Sequence, residues 1–188
     1  MRRPAPTRHV ARRREAGVAA IEFALVLPIL LLLFFGLINL SQYIFAVRKV
    51  DDAAFLITNL VAQSEKTIPS GSLDDYFVGA ELLLAPIDAT WVNSNLGIDI
   101  YVFNKTTGAV KWSKFYGGSR KCTRPTATDA KIAVLIPVSD VVVTVVCMPF
   151  NAPAADFPGF QYLRNTTIET RYVQRPRLSD TLSCANPC

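Results

Sequence analysis

The stretch that decides the fold is Arg12–Phe35, RRREAGVAAIEFALVLPILLLLFF. A basic segment precedes a long apolar run, and one glutamate, Glu22, lies near the start of that run. An ionised carboxylate is costly in hydrocarbon, so an acid at this depth is by default a candidate functional residue with a partner. A plain anchor with Glu22 at headgroup depth is the alternative. The stretch therefore predicts a membrane helix and raises the question of what Glu22 binds.

The apolar run has the length of a membrane span. Residues Phe23–Leu40 carry no charge and one amide, Asn39, and Ile44 and Phe45 extend the run. A helix needs ~20 such residues to cross the bilayer, so we expect a transmembrane segment over about residues 23–45. Since the arginines precede it, the N-terminus is expected in the cytoplasm and the rest in the periplasm. A cleaved signal peptide is a minor alternative, because its apolar core would be shorter.

The charge distribution argues against nucleic-acid binding. Residues 1–17 hold six arginines and one glutamate, which accounts for the whole formal net charge of +5. The remaining chain is neutral, whereas a nucleic-acid-binding domain keeps its basic charge on the folded part. The only histidine, His9, is also in this leader. Catalysis by histidine and metal sites that contain histidine are thereby excluded from the main domain. We expect that the protein is not an enzyme and binds no cofactor or metal. An anchored enzyme is the least favoured alternative.

One helix is expected to continue far beyond the membrane. Pro28 lies inside the span and should kink the helix there, because proline removes a backbone hydrogen bond. Beyond the span, apolar residues recur at helical spacing while charged residues lie off the stripe. We therefore predict a single helix over residues 18–63 whose second half packs on a folded domain. The stripe consists of Tyr43, Val47, Val50, Ala54, Ile57 and Val61.

Residues 64–188 read as an α+β domain with an antiparallel sheet. A short helix is expected from Ser72, closed by Pro86. Alternating segments around NKTTG predict a hairpin, AKIAVLIP and DVVVTVVCMPF predict a second one, and NTTIETRYVQR predicts a last strand. Residues 141–146, VVVTVV, are so apolar that a central strand buried on both faces is expected.

The four cysteines all follow the membrane span, where an oxidising periplasm favours disulfides. Four cysteines allow three connectivities. The pairs nearest in sequence are Cys122 with Cys147 and Cys184 with Cys188, and we expect these two bonds. A cysteine-only zinc site is disfavoured because the CxxC spacing is missing.

Three segments resemble the TadE-like minor pilins or pseudopilins of Tad (tight adherence, Flp) type IVb pilus systems. The first is GVAAIEFALVLPILLLLFFGLINL, which begins at Gly17, and the second is VRKVDDAAFLITNLVAQ. The ending YVQRPRLSDTLSC, Tyr172–Cys184, is also similar to this group. The middle of the chain resembles the family only in its strand spacing. The resemblance implies a pilin-like domain whose sheet packs on the exposed half of the long helix.

The resemblance also implies roles for the residues around Gly17. A prepilin peptidase would cut between Gly17 and Val18, which removes the cytoplasmic leader 1–17. Glu22 and Phe23 would then be the fifth and sixth residues of the mature chain. In this family the acid sets subunit registry by pairing with the α-amine of a neighbouring subunit. A carboxylate near a helix N-terminus is also favoured by the exposed amides and the helix dipole.

Two functional classes follow from these observations. The first is a structural component of a Tad pilus that is processed by the prepilin peptidase, assembles through its N-terminal helix with other Tad pilins and assembly proteins, and supports pilus biogenesis and surface adherence. Such a protein would lie in the inner membrane or enter an extracellular pilus. The alternative is an uncleaved single-span envelope protein, similar to TadG, whose periplasmic domain binds a partner or ligand.

Overall fold

The computed structural model describes residues 9–69, 71–117, 122–136, 138–151, 160–161 and 166–185, without the side chains of 9–17, 86–95 and 130. It has an α+β fold, as predicted, with a sheet in the order β3-β2-β4-β5 whose neighbouring strands are antiparallel. The helices are α1 His9–Gln63, α2 Ser72–Asn95 and α3 Ala130–Leu135; the strands are β1 Thr67–Ile68, β2 Gly97–Phe103, β3 Val110–Gly117, β4 Val141–Phe150, β5 Thr166–Gln174 and β6 Ser183–Cys184.

The long helix α1 ends at Gln63, as predicted, but begins at His9 rather than at Val18. Its second half packs on β4, β5 and α2, within the C-terminal domain, by which we mean the described residues after Gln63. The predicted apolar stripe is confirmed as the contact surface. Tyr43 and Val47 are partly buried against the core, and Val50, Ala54, Ile57 and Val61 are fully buried.

Strand β4 is central in the sheet and buried on both faces, as its composition predicts. Its even-numbered residues, such as Val142 and Val146, join the core formed with α1 and α2. Its odd-numbered residues, such as Val143 and Val145, join a second core formed with α3. Because β2 and β5 flank it as well, every residue of β4 is buried. The domain therefore has three layers: two helices, the sheet, and the segment that contains α3.

The predicted second hairpin is wrong, since residues 130–135 form α3 instead of a strand. A short apolar run does not distinguish a strand from a helix by its composition alone. The structure resolves the ambiguity through burial. Ile132, Leu135 and Ile136 pack on the second core while Val134 is 73% exposed, which is the spacing of a helix face. Strand β4 follows this helix and pairs with β2 and β5 instead.

The expectation that Pro86 ends the second helix is also wrong, because α2 continues to Asn95. Proline removes the hydrogen bond to the carbonyl four residues earlier, here that of Leu82, and strains the turn. The preceding turns are held independently by tertiary packing. Leu73, Phe77 and Leu84 are buried in the core, and this packing supports the helix on the N-terminal side of the interruption.

The C-terminal segment closes the end of the domain that lies farthest from the N-terminus of α1. The N–H of Arg177 donates to the carbonyl of Ala62 at 2.8 Å, next to the last residue of α1. Strands β1 and β6 then form a short parallel pair that the sequence analysis missed. The indole of Trp112 donates to the carbonyl of Leu182 at 3.3 Å. The C-terminal segment after β5 thus contacts both β3 and the C-terminal end of α1.

Asp140 is the acceptor that holds this closure. Its side chain is buried and accepts from the N–H of Lys105 at 3.0 Å, the N–H of Leu182 at 2.9 Å and the ammonium of Lys111 at 3.0 Å. Burial alone would raise the pKa of this carboxyl, but the hydrogen bonds and the charge of Lys111 outweigh it and lower the pKa. The turn after β2, strand β3 and the C-terminal segment therefore meet at one ionised carboxylate.

Gly117 occupies a backbone conformation that disfavours other residues. Its φ is +111°, and a Cβ at this position would overlap the carbonyl oxygen of Leu96. We expect Gly117→Ala to lower the free energy of unfolding by roughly 2–4 kcal/mol through strain and overlap. Thermal unfolding in detergent, followed by circular dichroism, measures this change.

Gly79 provides the matched control because it lies in α2 and, apart from the backbone of its own helix, no atom of the described residues lies within 4 Å of its Cβ position. We expect Gly79→Ala to raise stability by about 0.5–1 kcal/mol, since alanine is the better helix former. Equal effects of the two substitutions would contradict the role assigned to Gly117.

Candidate functional site: the N-terminal helix

The first half of α1 is an apolar rod that the described residues leave largely uncovered. The most apolar window of 18 residues in the segment Val18–Gln63 has a mean hydropathy of 2.7, and none of it is buried. Side chains on every side of the helix are exposed, including Leu25 at 72%, Leu33 at 60% and Leu37 at 67%. This half is long and apolar enough to cross a membrane, and it indicates membrane anchoring.

The predicted processing site lies within the backbone of α1. Gly17 and Val18 are both helical, and Val18 is 57% exposed. Glycine weakens a helix by about 0.8–1 kcal/mol relative to alanine. The bond between these residues is therefore at a point where the helix opens more readily than its neighbours do. Local unfolding of the helix therefore costs less free energy here than at the neighbouring bonds, which suits an enzyme that binds its substrate in an extended form.

Glu22 lies one helical turn beyond Val18. Four residues correspond to a rise of ~6 Å and nearly the same side of the helix. The side chain is exposed, and within the part of the chain that the structure describes it forms no ion pair. Phe23, beside it, is 60% exposed. An acid and an aromatic ring at the start of an apolar rod thus face outward, available to lipid or to another subunit.

Pro28 lies inside α1, and the helix continues through it. Its ring removes the hydrogen bond to the carbonyl of Ala24. That carbonyl lies one turn beyond Ala20, and both alanines are exposed. Small residues allow neighbouring membrane helices to approach closely. The region between Glu22 and Pro28 therefore offers a close-contact surface with one freed acceptor.

The C-terminal domain is firmly attached to the upper half of the same helix. The rings of Tyr43 and Phe150 meet edge to face at 5.5 Å, and those of Phe55 and Tyr172 at 5.0 Å. The face of α1 that packs on the domain is buried as well, and one hydroxyl on this face, that of Thr58, is satisfied within the helix by donating to the carbonyl of Ala54. The upper half of α1 is therefore part of the core of the C-terminal domain, and the same helix carries Glu22.

The cysteine segment secures the layer on the far side of the sheet. Cys122 and Cys147 form a disulfide with a Cα–Cα distance of 5.5 Å. The N–H of Cys122 also donates to the buried carboxylate of Asp99 at 3.2 Å. Cys184 is disulfide-bonded, while Cys188, the partner expected for it, lies outside the described residues. Among the described side chains, no group of three potential ligands is placed to hold a metal ion.

A second candidate surface lies between α3 and the edge strand β5. An open groove of about 570 Å³ is lined by Lys131, Val134, Leu135, Arg171, Tyr172 and Val173. Arg171 is engaged by Glu169 at 3.0 Å and Asp129 at 3.4 Å. Burial would raise the pKa of Glu169, but hydrogen bonds from Thr123 and Arg171 lower it. The groove is therefore mainly apolar, and the charge of Arg171 at its rim is neutralised by Glu169 and Asp129.

The structure brings the predicted N-terminal residues together on one helix but leaves the cysteines far from them. Gly17, Val18, Glu22, Phe23 and Pro28 all belong to α1, whereas Cys122 and Cys147 lie in the layers of the domain. The role of Asp140 and the contact of Phe160 with Gly36 were not predicted from the sequence. The partners of Asp140 and of Phe160 are distant in sequence and have no recognisable spacing, so only the tertiary structure reveals these contacts.

Comparison with protein families supports the resemblance deduced from the sequence. The family model described as TadE-like protein matches residues 17–55. The match covers the exposed half of α1, including Glu22, and the beginning of its buried half. No curated protein and no solved structure matches the chain. The match confirms the TadE-like resemblance for residues 17–55 and suggests a component associated with Tad pilus systems, while the resemblance of the ending Tyr172–Cys184 stays a prediction.

Proposed function

We propose that the protein is a minor pilin or pseudopilin of a Tad-type pilus, with its N-terminus in the cytoplasm and its C-terminal domain in the periplasm. A prepilin peptidase removes residues 1–17, and the mature chain joins a pilus or primes its assembly through the first half of α1. Its role is structural, in support of pilus biogenesis and surface adherence, and involves no catalysis. Its partners are the peptidase, other Tad pilins and the pilus assembly proteins.

One observation carries this proposal. Residues 18–34 of α1 are exposed on all sides, while one face of its second half is buried in the C-terminal domain. A helix used only as an anchor needs no acid at Glu22. An acid one turn from a newly formed α-amine at Val18, on an exposed apolar rod, suits pairing between subunits. The family match over residues 17–55 supports the same assignment.

The test is the N-terminus of the protein isolated from membranes, with and without a co-expressed prepilin peptidase. Intact mass and N-terminal sequencing are expected to show a chain that begins at Val18 only when the peptidase is present. We expect Gly17→Leu to block this cleavage, because the larger side chain fills the scissile position and strengthens the helix. Ala24→Leu is the matched control, since it makes a similar increase in size within the span and should leave cleavage intact.

Retention of Arg12–Arg14 in both samples would contradict the pilin proposal. The second candidate, an uncleaved envelope protein similar to TadG, would then take its place. The groove between α3 and β5 is the observation that favours it, because an open apolar groove beside an edge strand suits a peptide or protein partner. Failure of cleavage together with full function of Glu22→Ala would support this second candidate.

A further inference from the structure

A residue of the C-terminal domain contacts the membrane helix well below the point where the domain begins. Phe160 lies in the connection between β4 and β5, of which the structure describes Asn151, Phe160 and Gln161. Its ring lies 3.4 Å from the position that a Cβ on Gly36 would occupy. The absence of a side chain at Gly36 therefore allows the aromatic ring to lie directly against the helix backbone.

Gly36 lies at membrane depth under either placement of the span. A span of ~20 residues that begins at Val18, the first apolar residue whose side chain the structure describes, ends at Leu37. A span of the same length that begins at Phe23, after Glu22, ends at Gln42. Both contain Gly36. The side chain that packs on Gly36 must therefore lie at or below the boundary of the hydrocarbon.

Burial around Gly36 shows that one side of the helix is shielded at this depth. Asn39, one turn above, is only 1% exposed, although its neighbours Leu37 and Leu40 are 67% and 54% exposed. An amide in hydrocarbon is costly unless it is shielded and hydrogen-bonded. Seven residues above Gly36, about 10 Å along the axis, Tyr43 meets Phe150 at the end of β4. The domain thus contacts α1 both at Tyr43 and, about two turns lower, at Gly36.

We propose that Phe160, with the adjacent Gln161, forms a second membrane contact, in which the ring of Phe160 enters the leaflet on the side of the C-terminal domain. The partner of this surface is the lipid bilayer itself. The ring of Phe160 is wholly apolar, so its transfer from water into the hydrocarbon or to its boundary is favourable. Together with the packing of Tyr43 on Phe150, this contact sets the rotation of the domain about α1 relative to the membrane. This proposal rests on membrane anchoring alone and does not depend on cleavage or on pilus assembly.

The experiment places a tryptophan at the contact and measures its depth. Full-length Phe160→Trp is reconstituted in vesicles of phosphatidylethanolamine and phosphatidylglycerol, with or without bromine on the upper part of the acyl chains. Bromine quenches indole fluorescence only on close contact. After the wild-type emission is subtracted, we expect brominated lipid to reduce the emission of the added tryptophan by about half or more, as for an interfacial indole.

Leu178→Trp is the matched control. Leu178 is 67% exposed and follows Arg177, which binds the carbonyl of Ala62. That site is 26 residues above Gly36, ~39 Å along the helix, and its emission should be unchanged. Gln161→Trp provides a second variant at the contact, since Gln161 is exposed and tolerates an indole even if the position of Phe160 does not. Quenching of either contact variant above the control supports the proposal; folded variants quenched no more than the control overturn it.

Discussion

Replacing Asp140 by asparagine is expected to lower the free energy of unfolding by about 2–4 kcal/mol, since it leaves buried donors without an ionised acceptor. Three donors converge on this carboxylate from Lys105, Lys111 and Leu182. The amide can accept through one atom only, and its own N–H groups would face the remaining donors. Thermal and denaturant unfolding of the full chain in detergent, followed by circular dichroism, measures the loss.

Asp180→Asn is the matched control for this prediction. Asp180 lies near Asp140, because its carbonyl accepts from the N–H of Asp140 at 2.9 Å, but its side chain is exposed. Exposed substitutions of this kind usually change stability by less than about 0.5 kcal/mol. Equal stability of the two variants would show that the buried carboxylate does not hold the C-terminal segment.

The lowered pKa of Asp140 also predicts how the stability difference depends on pH. The carboxyl is more acidic in the folded state than its ordinary value of 3.8. Its contribution is therefore complete above that value and is lost as pH falls from there through the folded-state pKa. The wild type and Asp140→Asn should differ most near neutral pH and converge in acid. A difference that grows as pH falls would contradict this assignment.

The parts of the fold that follow from periodicity could be predicted from the sequence. The stripe on α1, the β2–β3 hairpin and the buried strand β4 each repeat a pattern over many residues, and the structure contains all three. Residues 130–136 could not be assigned, because Ile132, Leu135 and Ile136 suit a helix face and a strand equally well until their neighbours are known.

The parts of the candidate site that depend on tertiary contact could not be predicted. The roles of residues 17–23 could be predicted because all the residues of this motif lie within two helical turns of one another. The contact of Phe160 with Gly36 joins residues 124 positions apart, and the closure at Asp140 joins separate parts of the chain. No local pattern marks such pairs, since each residue is ordinary among its neighbours.

Replacing Glu22 by alanine is expected to abolish assembly while it leaves cleavage after Gly17 intact. In the proposed assembly the carboxylate pairs with the α-amine of Val18 on a neighbouring subunit. Removing one partner of an ion pair in a low-dielectric environment costs about 3–5 kcal/mol, because the other charge is left uncompensated. That corresponds to a loss of roughly 10²–10⁴-fold in the association constant of each contact.

The measurement is the amount of the protein recovered in sheared pili. If the protein only primes assembly, the number of pili on the cell surface is measured instead. The intact mass of the protein is determined in both cases. Asp51→Ala is the matched control, because Asp51 is an exposed acid of the same helix that lies beyond the membrane span. Normal cleavage with loss of assembly for Glu22→Ala alone would support the pairing. Normal assembly of Glu22→Ala would contradict it, because an apolar rod of this length can anchor the chain without any acid.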